Sequence, residues 1–147
     1  MMWQVYLSGE IHTDWREQII RGAEKLNLPV QFISAVTHHD ASDAAGDVLG
    51  KEADQFWRDH KSAKVNAIRI KAQIEQCDLA IIRFGGKYKQ WNAAFDAGYC
   101  AALGTPYITL HDEDIIHPLK EVDGSGMAWA QSTDQVVEII HYLTKDQ

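Results

Sequence analysis

Positive charge is what this chain most clearly lacks. It carries 14 lysines and arginines against 21 aspartates and glutamates, a formal net charge of −7, and no Lys/Arg cluster. Binding to DNA or RNA relies on neutralising many phosphates, so a nucleic acid polymer is disfavoured as the main partner, whereas a small ligand remains compatible. No apolar segment approaches the roughly 20 residues that span a membrane. The N-terminal MMWQVYLSGE has neither the basic start nor the apolar run of about 7–15 residues that marks a signal peptide. Only two cysteines occur, Cys77 and Cys100. They lie far apart in apolar segments without metal-ligand spacing, which suits a reduced, cytoplasmic protein with buried thiols. Internal repeats, low-complexity runs and linkers are also missing. So are the GxxxxGK[ST] and GxGxxG phosphate loops and the HExxH metal motif.

What is present suffices for a core. With 147 residues, 46% of them hydrophobic, the chain is expected to form a single domain over 1–147. Trp3–Leu7 alternates as a strand and ends at Ser8-Gly9-Glu10. Thr13 or Asp14 can cap a helix reaching Asn27, with Trp15, Ile19, Ile20, Ala23 and Leu26 at helical spacing. Val30–Val36 reads as a second strand. Thr37 to about His60 reads as a long polar binding loop. Ala63–Gln76 is expected as a helix, Leu79–Phe84 as a buried strand and Tyr107–Leu110 as the fourth strand. Asn92 is expected to cap a helix that stops at Gly104. His111–Gly126 looks irregular and acidic; a short strand at Ala128–Gln131 and a helix at Thr133–Leu143 complete the pattern.

Strands alternating with helices imply a parallel sheet covered on both faces. The commonest small arrangement is a flavodoxin-like (Rossmann-like) three-layer α/β sandwich with strand order 2-1-3-4-5. Its ligand crevice lies beyond the carboxyl ends of the first and third strands, here flanked by Ser8–Asp14 and Gly85–Trp91. One carboxylate stands near the start of the helix beside that crevice: Asp96, set among Ala93, Ala94, Ala97 and Gly98. With Asn92 as cap, the helix dipole and free N–H groups would favour its ionised form. Such a carboxylate can serve as nucleophile, base or electrostatic stabiliser; it can equally be ordinary first-turn helix electrostatics. Asn92, Tyr99 and Cys100 share its approximate face.

Other positions admit two readings each. Gly85-Gly86-Lys87 permits a close approach to a ligand or makes a plain turn. Ser8, Gly9 and Glu10 can hydrogen-bond a sugar or base, or merely join strand to helix. Asn66 and Arg69, one helical turn apart, can reach a ligand; Arg69 can instead pair with Asp78 or Asp96. Trp91 can wall a pocket for a planar ring or pack in the core. The His38-His39-Asp40 run, with Asp43 and Asp47, lacks the spacing of a metal site, and no metal is expected there.

The stretch RFGGKYKQWNAAFDAGYCAALGTPYI, together with VYLSGEIH, NAIR and HPLKEVD, resembles the YtoQ family, grouped with the nucleoside 2-deoxyribosyltransferase-like proteins. The resemblance covers essentially the whole chain. In that superfamily a glutamate in a Gly-Thr-x-x-Glu-x-Gly-x-Ala pattern opens the helix after the third strand, and Asp96 stands at its place. The resemblance implies a carboxylate nucleophile that attacks the anomeric carbon of a nucleoside or nucleotide, with no cofactor. Tyr6 would position the nucleophile, and Gly9, Glu10, Gln90 and Asn92 would line the pocket. A nucleoside 5′-monophosphate N-hydrolase and a non-catalytic nucleotide- or sugar-binding module are the alternatives. Superfamily members complete their sites with a neighbouring subunit, which implies a homo-oligomer. Three departures stand out. Asp96 is one methylene shorter than glutamate, about 1.5 Å; Gln90 replaces an aspartate; and Asn92-Ala93 with Ala94 replaces the Gly-Thr.

Overall fold

The computed structural model describes residues 1–34, 37–87 and 89–145. Five parallel strands form one sheet in the order 2-1-3-4-5. They are β1 (Trp3–Gly9), β2 (Val30–Ser34), β3 (Leu79–Arg83), β4 (Tyr107–Leu110) and β5 (Ala128–Ala130). The helices are α1 (Trp15–Lys25), α2 (His39–Asp43), α3 (Gln55–Gln76), α4 (Trp91–Leu103), α5 (Lys120–Ser125) and α6 (Thr133–Thr144).

Alternation along the central strands builds the two cores, because successive strand side chains point to opposite faces. Val5 and Leu7, Leu79 and Ile81, and Ile108 and Leu110 face Trp15 and Ile19 of α1 and Val136, Val137 and Ile140 of α6. Tyr6, Ala80, Ile82 and Tyr107 face Ile74 of α3 and Ala93, Ala97 and Cys100 of α4. Ile81 and Ile82 are both fully buried, each contributing about 1.5–3 kcal/mol by leaving water. Burial on both faces explains why β3 reads as an unbroken apolar run.

Several boundaries differ from the sequence reading. The expected loop from Thr37 to His60 is largely ordered helix: α2, a 3-10 turn at Ala45–Leu49, and the first turns of α3. Asp54 Oδ1 accepts from the backbone N–H groups of Phe56 (2.9 Å) and Trp57 (3.3 Å) and so starts α3 well before Ala63. Phe56 and Trp57 are largely exposed, so this turn presents no apolar stripe to betray it. The segment after β4 contains a 3-10 turn at Glu113–Ile115 and the short α5. Of the strand expected over Val30–Val36, Ala35 and Val36 lie outside the described residues. Among the described residues no helix is long and apolar enough to cross a membrane.

Candidate active site

The carboxyl ends of β1 and β3 meet under the start of α4. Gly9 lies beside Arg83 in the register of β1 and β3, with φ at +116°. A Cβ there would stand 2.1 Å from the Arg83 carbonyl oxygen, so only glycine lets the two strand ends close together. Ser8, the preceding residue, is buried and turns its hydroxyl toward α4. Its Oγ donates to Asp96 Oδ2 at 2.5 Å.

Asp96 is 6% exposed and lies beyond the first turn, since α4 begins at Trp91. Its own N–H is therefore inside the helical ladder and the free N-terminal amides lie a turn away. The expectation that the helix end would favour ionisation is thus corrected: burial pushes the carboxyl up to about 6, opposed by the hydrogen bond from Ser8. The cap is also reassigned. Gln90 occupies the N-cap position and Asn92 is an exposed residue of α4. Gly98, one of the small residues around Asp96, faces open space. Close contact comes instead from Ala93 and Ala97, at 3% and 1% exposure.

Tyr6 reaches the same region from β1. It is fully buried, and its hydroxyl has no hydrogen-bond partner among the described residues. Desolvation and the nearby Asp96 carboxylate push its ionisation well above the ordinary phenol range. It therefore adjoins Asp96 electrostatically without hydrogen-bonding it. Cys100, one turn after Asp96, is pushed up to about 12 by burial and stays a neutral thiol. Tyr99 Oη donates to Glu75 Oε1 at 2.8 Å and ties α4 to α3.

The loops around this centre are shaped by their own hydrogen bonds. The Glu10 carboxylate accepts from the backbone N–H groups of His12 and Thr13 and, at 2.5 Å, from Thr13 Oγ1, so it organises the turn into α1. A Cβ on Gly85 would lie 2.7 Å from Glu10 Cγ, which brings the β1 and β3 loops into contact. Gln90 Oε1 accepts from the Gly85 N–H at 3.0 Å and closes the β3–α4 loop. Tyr88 of that loop lies outside the described residues. Asn66 is drawn elsewhere: its amide donates to Ser42 O (3.1 Å) and Oγ (3.2 Å), pinning α2 to α3. Arg69 pairs with neither Asp78 nor Asp96 but donates to Ser34 O at 3.2 Å. Asp78 instead accepts from the Gln4 N–H. Trp91 is exposed, with Lys89 Nζ 5.4 Å from its ring centroid, and does not pack in the core.

Two residues escaped the sequence reading. Arg16 is 6% exposed and donates to Glu10 O (2.6 Å), Gly9 O (3.2 Å) and Ser34 Oγ (3.0 Å). The signal was its helical spacing with Ile19, Ile20 and Ala23, which sets it on the buried stripe of α1. His111, just past β4, is fully buried; its ring lies 2.8 Å from Asp123 Oδ2 and 2.7 Å from Asp112 O and stacks on Trp129. Its adjacency to the polar run after β4 disguised that burial. Among the described residues no three His, Cys, Asp or Glu side chains gather to hold a metal ion.

A doubly wound parallel sheet in the order 2-1-3-4-5 is a flavodoxin-like α/β protein, a fold whose ligands bind beyond the carboxyl ends of the strands at the switch point, where this chain buries Asp96. The chain belongs to the family described as nucleoside 2-deoxyribosyltransferase YtoQ, whose profile matches residues 6–144. It is 37% identical over 140 residues to the uncharacterized protein YtoQ of Bacillus subtilis (strain 168), spanning 95% of each chain. In fold it is similar to a conserved protein from Enterococcus faecalis V583, with a TM-score of 0.67 and 13% identity over 97% of this chain and 99% of that one. It is also similar to a 2-deoxyribosyltransferase from Bacillus psychrosaccharolyticus, with a TM-score of 0.53 and 15% identity over 91% of this chain and 90% of that one.

Proposed function

We propose that this protein cleaves or transfers the N-glycosidic bond of a nucleoside or nucleotide, with Asp96 as the nucleophile. The observation that carries this reading is the Asp96 carboxylate itself, buried beyond the carboxyl ends of β1 and β3, with Oδ2 held by Ser8. A desolvated anion reacts from a fixed direction and is poised to stabilise the cationic, oxocarbenium-like transition state of glycosyl cleavage. An Asp96 oxygen bonds to C1′ as the C1′–N bond breaks, and the electron pair leaves with the base, which takes a proton from solvent. A second base or water then attacks C1′ and restores the carboxylate. Ser8 holds the nucleophile by donating to its ionised form. The unpartnered Tyr6 hydroxyl supplies a hydrogen bond to the bound substrate. Glu10, Gly85 and Gln90 act by shaping the two loops. Membership of a nucleoside 2-deoxyribosyltransferase family and likeness to a 2-deoxyribosyltransferase support the reaction class.

The test is a survey of ribo- and deoxynucleosides with and without added free base, run on the native protein and Asp96→Asn. Base exchange identifies a transferase, and release of free sugar a hydrolase. The substitution should lower either rate by about a thousandfold or more. Equal turnover by the two proteins would remove Asp96 from the chemistry and leave a binding module as the better account.

A further inference from the structure

Two arginines converge on one residue at the edge of the sheet. Ser34, the last residue of β2, accepts from Arg16 Nε on its hydroxyl (3.0 Å) and from Arg69 Nη2 on its carbonyl (3.2 Å). Arg16 comes from α1 on one face and Arg69 from α3 on the other. All of Arg16's acceptors are neutral oxygens, and neither guanidinium has an ion-pair partner among the described residues. Arg16 is compensated by neutral oxygens, by the Trp15 ring 4.5 Å away and through space by Glu10 and Glu17, and the exposed Arg69 brings a second positive charge to the same point. Burial indeed lowers Arg16's hold on its proton below the ordinary guanidinium range.

The two side chains line a groove of about 450 Å³ with Leu7, Phe32, Thr37 and Gln73, roomy enough for a small ligand. The carboxylate in its lining, Glu17, is exposed on α1 and favours charged Arg16 through space, without an ion pair to either arginine among the described residues. Gln73 adds a second requirement, since its carboxamide oxygen is buried with no donor among the described residues. An anion would compensate the arginines, and a hydroxyl on the same ligand would satisfy Gln73. Leu7 in this wall precedes Ser8, whose hydroxyl turns to the opposite face of the sheet and holds Asp96.

We infer that the groove between α1 and α3 is a binding site for a phosphorylated sugar, with the phosphate between Arg16 and Arg69 and a sugar hydroxyl on Gln73. Guanidinium forks match phosphate oxygens in geometry and charge. That this sugar belongs to the substrate of Asp96 rests on the reading above; the phosphate site does not.

Titration calorimetry with inorganic phosphate, ribose 5-phosphate and ribose tests the site on the native protein, Arg69→Gln and Asp96→Asn. Arg69 is exposed, so its substitution should leave the fold intact, which thermal unfolding checks. Ribose 5-phosphate should bind more tightly than inorganic phosphate, and ribose should not bind measurably. Arg69→Gln should weaken ribose 5-phosphate tenfold or more, while Asp96→Asn changes it less than twofold. Binding of inorganic phosphate alone, an unchanged affinity in Arg69→Gln, or no binding at all would overturn the inference. Arg69-dependent ribose 5-phosphate binding without Asp96-dependent cleavage would keep the groove and sink the proposed reaction. Cleavage without ribose 5-phosphate binding would do the reverse.

Discussion

The Ser8 hydroxyl donates to Asp96 Oδ2 at 2.5 Å and joins β1 to α4 across 88 residues of sequence. Neither residue is explained by its own element. Ser8 would be a weak strand former at the sheet centre, and Asp96 an expensive helix residue in an apolar layer. Each satisfies the other, and burial sets the protonation of the pair.

The first consequence is a pH profile. In the proposed reaction Asp96 must be ionised to attack, and burial holds its carboxyl at about 6. Turnover should therefore rise with pH through about 6 and level off above it. Ser8→Ala removes the bond that favours the anion, worth about 1.5–3 kcal/mol for a charged acceptor. Its acid limb should move to higher pH by about one pH unit or more; an unmoved limb would detach Ser8 from the ionisation of Asp96.

Stability should respond in the opposite direction to activity. A carboxyl raised from 3.8 to about 6 favours folding in its neutral form. That contribution is complete below about 4 and is lost as pH rises through about 6. At about 1.4 kcal/mol per pH unit, ionised Asp96 costs the folded protein about 3 kcal/mol at neutral pH. Asp96→Asn should accordingly unfold later than the native protein in denaturant at pH 7.5, by about 1–3 kcal/mol. The gap should narrow near pH 4. Urea titrations at the two pH values measure it.

Tyr6→Phe removes a buried hydroxyl that has no partner among the described residues. The melting temperature should stay level or rise slightly, because no hydrogen bond is lost and a desolvated polar group disappears. Substrate affinity should fall, read as a higher KM, because in the proposed reaction this hydroxyl bonds the substrate. A large drop in melting temperature would mean that the hydroxyl is bonded within the fold.

Two glycines should answer oppositely to alanine. Gly9→Ala places a Cβ 2.1 Å from the Arg83 carbonyl oxygen at φ +116°, so the ends of β1 and β3 must separate. A loss of about 3 kcal/mol or more is expected. Gly98→Ala, on the exposed face of α4 with nothing within 4 Å, should stabilise by about 0.5–1 kcal/mol. Chemical denaturation of both variants tests the pair.

The strand order was legible because apolar runs of strand length alternated with helical periodicity, and right-handed crossovers leave few ways to connect them. The meeting of the β1 and β3 ends beside α4 followed from that order. The early start of α3 was not legible, because Asp54 caps a turn whose aromatic residues face outward. The protonation of Asp96 was misjudged because one helical turn separates the residue from the helix end, and the residue chosen as cap decides which side of that turn it occupies.

Local pattern therefore determined the elements, their order and the presence of one carboxylate near the switch point. Tertiary structure alone decided what that carboxylate faces. It supplied Ser8 as partner and set Asn66 on Ser42. It also brought Arg16 and Arg69 to a single serine. Periodicity is written in neighbouring residues and survives as sequence. Burial, desolvation and charge pairing arise only when segments far apart in the chain pack together.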